Sequence, residues 1–174
     1  MKKFVLVFSA IALVAACAST RGPMAMATLQ STSGSNATGT VHMQQARDGA
    51  VEVKVDLTGV PPGVHGFHIH DKGDCGDNGN AAGPHFNPTM MPHAAPTAAS
   101  HHAGDFGNVT AEANGEVHLT FTTRAVTLDG TNAAVGHAVI LHGDPDDLTT
   151  QPSGNAGPRI ACGVITLHDA SAMK

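Results

Sequence analysis

The run Gly66-Phe67-His68-Ile69-His70 places two imidazoles two residues apart among strand-forming residues. In a β-strand, side chains alternate faces, so His68 and His70 point one way and Phe67 and Ile69 the other. Two imidazoles side by side on a rigid strand make half of a transition-metal site. Further donors follow in the chain. His85 sits in Gly83-Pro84-His85-Phe86-Asn87-Pro88, His93, His102 and Asp105 come shortly after, His142 ends a distant apolar run, and Asp146 lies four residues beyond it. The ligands His68, His70, His85, His93, His102, His142 and Asp105 are too many for one ion and would fill two sites. An all-imidazole set suits copper, and three histidines with a carboxylate suit tetrahedral zinc.

These donors need rigid elements to hold them. Val51, Val53, Val55 and Leu57 alternate with Glu52, Lys54 and Asp56, which predicts a half-buried strand. Val41-His42-Met43 supplies its hairpin partner across Arg47-Asp48-Gly49, and Pro61-Pro62-Gly63 breaks the chain before the His68/His70 strand. Asn114-Gly115, between Asn108–Ala113 and Glu116–Thr123, is a strong hairpin signal. Val135–Leu141 and Ile160–Leu167 read as further strands, and a first strand is expected near Met26–Ser33. About eight short strands without a helical period predict an antiparallel sandwich or flattened barrel. Two stretches interrupt the pattern, 71–107 and 143–159, both rich in Gly, Pro, Asn and Asp. Loops this long in a small domain are functional as a rule, and the first carries four of the candidate ligands. Asp71, Asp74 and Asp77 lack the glycine and distal glutamate of a calcium hand and read as solvated carboxylates. His42, His65 and His118 read as structural or solvent-facing.

The N-terminus reads as an export signal, with Lys2 and Lys3 ahead of the apolar run Phe4–Ala16. That run is too short for a stable membrane anchor. Val14-Ala15-Ala16-Cys17 resembles the lipobox of bacterial lipoproteins. The expected organisation is a signal peptide over 1–16, a lipidated Cys17 with a flexible tether over 17–35, and a domain over 36–174. The alternative is cleavage after Ala25-Met26-Ala27, releasing a soluble periplasmic protein. Loss of residues 1–16 removes two lysines and takes the net charge from −5 to −7, the opposite of a nucleic-acid footprint. With Cys17 given to lipid, Cys75 and Cys162 remain, and an exported protein can keep them as a disulfide. Closing nearly ninety residues, such a bridge contributes about 4–5 kcal/mol on the chain-entropy account.

The segments Gly66–His70, Gly83–Pro88, His102-Ala103-Gly104-Asp105 and Gly154–Ile165 together resemble the signature segments of copper/zinc superoxide dismutases, in order and spacing, over about Thr38–Leu167. The resemblance implies an eight-stranded antiparallel Greek-key flattened barrel, immunoglobulin-like, with two long functional loops. It implies that His68, His70, His85 and His142 hold copper, that His85, His93, His102 and Asp105 hold zinc, and that His85 bridges the two metals. Asp146 matches the carboxylate linking His68 to His93, Arg159 the guanidinium that meets the substrate, and Cys75 and Cys162 the intrachain disulfide. The implied reaction is 2 superoxide + 2 H⁺ → O₂ + H₂O₂, in the cell envelope, by a monomer or homodimer that touches a membrane only through a lipid on Cys17. One departure stands out. Bacterial relatives often carry a lysine soon after the paired aspartate, whereas here Asp146-Asp147-Leu148-Thr149-Thr150-Gln151-Pro152 has none.

Overall fold

Alternation of apolar and polar residues along short segments is realised as strands wherever it was legible. The computed structural model describes residues 22–168; the expected signal peptide, Cys17 and the first part of the expected tether lie outside the described residues. The strands are β1 (Met24–Ser31), β2 (Thr38–Gln45), β3 (Val51–Thr58), β4 (Gly63–His70), β5 (Asp105–Ala111), β6 (Val117–Thr123), β7 (Ala138–His142), β8 (Arg159–Val164) and β9 (Thr166–His168). Apart from a short 3-10 segment at Asp77–Ala82, no helix interrupts the described residues. In β3, Val51, Val53, Val55 and Leu57 are all buried while Glu52 and Lys54 are exposed. Val41 pairs with Val55 and Met43 with Val53, so the β2–β3 hairpin forms across the expected turn.

Neighbouring strands run β5-β4-β7-β8-β1-β2-β3-β6, with β9 added beside β1. This is an all-β, nearly closed eight-strand Greek-key barrel. Its two edge strands, β5 and β6, are consecutive in sequence. Asn114-Gly115 does make a tight turn, in which the Glu112 N–H donates to the Glu116 carbonyl at 2.9 Å. The flanking strands then part, however, β5 pairing with β4 and β6 with β3. The expected hairpin is therefore a turn at a seam. Side chains close that seam instead of a ladder, with the Phe106 and Phe121 rings 5.2 Å apart. Leu29, Val41, Met43, Leu57, Phe67, Ile69 and Leu141 fill the interior.

Three boundaries are corrected. The first strand starts at Met24, so residues 24–31 belong to the barrel and not to a tether reaching residue 35. Its inward residues are Ala25, Ala27 and Leu29, two of them too small to stand out as an apolar pattern. β5 begins at Asp105, three residues before the expected start, which puts a candidate ligand on the strand itself. The last expected strand is two, β8 and β9, on either side of Ile165. Cys75 and Cys162 form a disulfide with a Cα–Cα distance of 5.7 Å across 87 residues. It fastens the long loop after β4 to β8.

Candidate metal centre

β4 supplies two imidazoles from its outer face, and the loop that follows is laid back over them by backbone hydrogen bonds. Phe86 N–H donates to Ile69 O at 2.8 Å, Ile69 N–H to Gly104 O at 3.0 Å, and Gly104 N–H to Phe86 O at 2.9 Å. Gly104 is required there, because a Cβ on it would sit 2.2 Å from the Ile69 carbonyl oxygen. Folded this way, the loop carries His85 beside His70 and brings in His93 and His102. β7 contributes His142 at its end and β5 contributes Asp105 at its start. All of these side chains, and Asp146, are buried.

They form two clusters, His68, His70, His85 and His142 in one, His85, His93, His102 and Asp105 in the other, with ligating atoms within 4.8 Å of one another in each. In the second, Asp105 Oδ1 lies 2.8 Å from His85 Nδ1, 3.0 Å from His93 Nδ1 and 3.2 Å from His102 Nδ1. Three imidazole nitrogens crowd one carboxylate oxygen, the arrangement of ligands around a cation. In the first, His70 Nε2 and His142 Nε2 face each other at 3.2 Å. His68 Nδ1 and His85 Nε2 are buried without a hydrogen-bond partner among the described residues. An orphaned nitrogen in a dry interior is costly unless a metal ion takes its lone pair. His85 belongs to both clusters, turning Nδ1 to one and Nε2 to the other.

The other ring nitrogens explain why the right lone pairs are free. His68 Nε2–H donates to Asp146 Oδ2 at 2.8 Å and His93 Nε2–H to Asp146 Oδ1 at 3.0 Å, leaving both Nδ1 atoms unprotonated. His70 Nδ1–H donates to the Gly83 carbonyl at 2.8 Å, and His142 Nδ1–H faces the Gly157 carbonyl at 3.3 Å, leaving both Nε2 atoms unprotonated. A hydrogen bond on one nitrogen fixes which tautomer meets the metal at the other. Burial pushes the pKa of His68 down to about 4 and that of His142 to about 3, and that of His70 well below its ordinary value. Metal ligation needs these neutral forms. For Asp105, burial works to raise the pKa, but the His85 imidazole beside it, the Ala94 and His102 backbone N–H groups that donate to it and the adjoining His93 imidazole outweigh this and hold the carboxylate ionised. Asp146 is likewise held below its ordinary value, hydrogen bonds from His68 and Leu148 overcoming burial.

Arg159 opens β8 beside the first cluster. Its guanidinium donates to the Gly79 carbonyl at 2.5 Å and to the Gly83 carbonyl at 2.6 Å, sharing the latter with His70. It lines a cavity of about 460 Å³ together with His70, His85, His142, Pro152 and Ser153, and is the one permanent charge among the described residues there.

Two amides that hold the centre, Asn108 and Gln151, carry no signal readable from sequence. Asn108 clamps Asp146, donating Nδ2–H to its carbonyl at 2.9 Å and accepting its N–H at 2.8 Å. Gln151 does the same for the His93 backbone, at 2.7 and 2.9 Å. His65, read as structural, is buried and faces the carbonyls of His142 at 2.9 Å and Pro61 at 2.7 Å. Gly154, with φ +68°, leaves room for Asp146, whose Oδ1 would lie 1.8 Å from a Cβ.

Residues 37–165 match the family model described as copper/zinc superoxide dismutase (SODC). Among solved structures, the chain is similar to one described as a crystal structure analysis of the clock protein EA4. The TM-score is 0.76 at 37% identity, covering 83% of this chain and 94% of that one.

Proposed function

Because the chain belongs to the copper/zinc superoxide dismutase family, oxidoreductases acting on superoxide with copper and zinc, we propose that His68, His70, His85 and His142 hold the copper and His85, His93, His102 and Asp105 the zinc. The observation that carries this assignment is His85, whose Nδ1 faces Asp105 at 2.8 Å while its buried Nε2 has no hydrogen-bond partner among the described residues. Copper, when bound, supplies the one-electron oxidation and reduction that superoxide dismutation needs, and zinc, without redox chemistry, supplies charge and rigidity.

The chain's own residues do the rest. Arg159, pinned by two carbonyls, presents its guanidinium to a small anion entering the cavity and orients it beside the imidazoles. His85 Nε2 is the nitrogen positioned to hold and release a proton at the reacting centre. Asp146 keeps His68 and His93 in register through its two oxygens, and the disulfide keeps the loop that carries His85 against β8. The buried surroundings exclude water from all but the cavity side.

The reading extends to location. A lipid on Cys17 would place the barrel at the cell envelope, protecting it from superoxide. That β1 begins at Met24 supports this over cleavage near Ala27, which would remove half of a barrel strand. The decisive experiment measures copper, zinc and superoxide consumption on the purified protein. One of each metal per chain with rapid turnover is expected; one of each without turnover would make this a metal-holding module and overturn the enzyme reading. Cys17→Ser is expected to release the protein from membranes, and a protein that stays bound would refute the anchor.

A further inference from the structure

Two of the seven methionines, Met24 and Met26, alternate along β1 with the buried Ala25 and Ala27. Their thioethers therefore share the outer face of the barrel wall. Register places Met24 opposite His168 of β9 and Met26 opposite His42 of β2. Directly opposed residues in antiparallel strands project to the same face, with Cβ atoms about 4.5–5.5 Å apart, and diagonal neighbours lie about 7–8 Å apart. Two thioethers and two imidazoles thus lie on one face across three strands, the imidazoles flanking the methionine row from opposite sides. None of the four belongs to the buried clusters or to the apolar core.

The patch is accessible. His42 is exposed, and Met24, Met26 and His168 are half-buried. A depression of about 460 Å³ opens beside Met24 and His42. The cation nearest in register, Lys54, lies opposite His42, but its ammonium pairs with Asp56 at 2.7 Å. Outer-face positions on neighbouring β3 carry Glu52, Lys54 and Asp56, the usual choice for a solvated sheet face. A methionine pair flanked by histidines departs from it.

We propose that Met24, Met26, His42 and His168 form a surface site for copper(I), separate from the two buried clusters. Thioether sulfur is a soft donor that selects monovalent copper, while hard cations prefer oxygen and zinc takes thiolate, imidazole or carboxylate. Methionine side chains are long and unbranched, so both sulfurs can reach an ion lying between the rows. Two sulfurs and two nitrogens complete a four-coordinate set without any acidic residue. Such a site would hold copper exchangeably at the surface.

The test loads the full chain with copper and zinc and titrates it anaerobically with copper(I) against a coloured chelator. One further copper(I) per chain is expected, with a sulfur scatterer in X-ray absorption. Met24→Leu with Met26→Leu, which keeps side-chain bulk on an outer face, is expected to abolish that extra equivalent and leave superoxide consumption and the melting temperature unchanged. His42→Gln is expected to weaken it. No extra equivalent, an equivalent without sulfur, or one that survives the double leucine variant would overturn the proposal. The buried sites are counted separately in the same samples, so a failure of their assignment would show as missing copper or zinc before the titration starts.

Discussion

At the scale of single residues, Asp146 fixes which nitrogens of His68 and His93 face the two clusters. Both its oxygens accept imidazole N–H groups, from His68 and His93. Asp146→Asn keeps the shape but turns one acceptor into a donor, so one ring must move its proton to Nδ1, the atom that faces a cluster. Metal affinity is then expected to fall by about 10–100-fold; chelator competition measures it, and wild-type affinity would refute this account. Protons act on the same rings. His68 and His142, pushed by burial to about 4 and about 3, bind a proton in the unfolded chain near pH 6.5 but resist it when folded. The unfolded state therefore holds more protons below about pH 6.5, and linkage makes the metal-free barrel lose stability as pH falls from there toward 4. Urea midpoints between pH 8 and 4 measure this; a flat profile would contradict neutral buried imidazoles. The ligand types and spacings were legible because period-two strand geometry and donor chemistry are local. Asn108 and Gln151 were not, because an amide that clamps a distant backbone looks like any surface amide until the loops are folded together.

At the scale of elements, the strands were legible where branched residues alternate, as in β3, and poorly legible where alanine does the burying, as in β1. Asn114-Gly115 makes the tight turn its sequence predicts, but not the hairpin. Its strands pair elsewhere because β4 and β3 offer full ladders, a long-range competition that turn chemistry cannot report. The loop after β7 shows how an element can be built around one missing side chain. Gly154 adopts φ +68°, and a Cβ there would meet Asp146 Oδ1 at 1.8 Å and His93 Nε2 at 2.7 Å. Gly154→Ala carries a left-handed penalty of about 1–2 kcal/mol in addition to that collision. It is expected to lower metal retention while leaving the far-UV circular dichroism of the barrel unchanged. Metal retention equal to wild type would mean that the loop tolerates displacement of Asp146.

At the scale of the whole molecule, charge and catalysis pull in opposite directions. The chain carries −5, or −7 without residues 1–16, so its mean field repels an anion such as superoxide. Attraction has to come from within the cavity, where Arg159 is the one permanent charge among the described lining residues and Asn80, Asn87 and Ser153 are neutral. A single guanidinium acts over short range, and at an ionic strength of 0.1 M charges farther apart than about 10 Å are largely screened. Salt therefore has little long-range attraction to remove, and it also screens the repulsion from the rest of the surface. The second-order rate constant for superoxide is accordingly expected to change only weakly with added salt, less than in relatives that carry a lysine after the paired aspartate. Arg159→Ala is expected to lower that constant and, with the local attraction reduced to that of the bound metals, to let the mean repulsion weigh more, so that added salt raises the rate. Measuring the constant for both proteins over a range of ionic strengths checks the argument. A rate that falls steeply with salt and keeps that slope in Arg159→Ala would mean that some other cation guides the substrate.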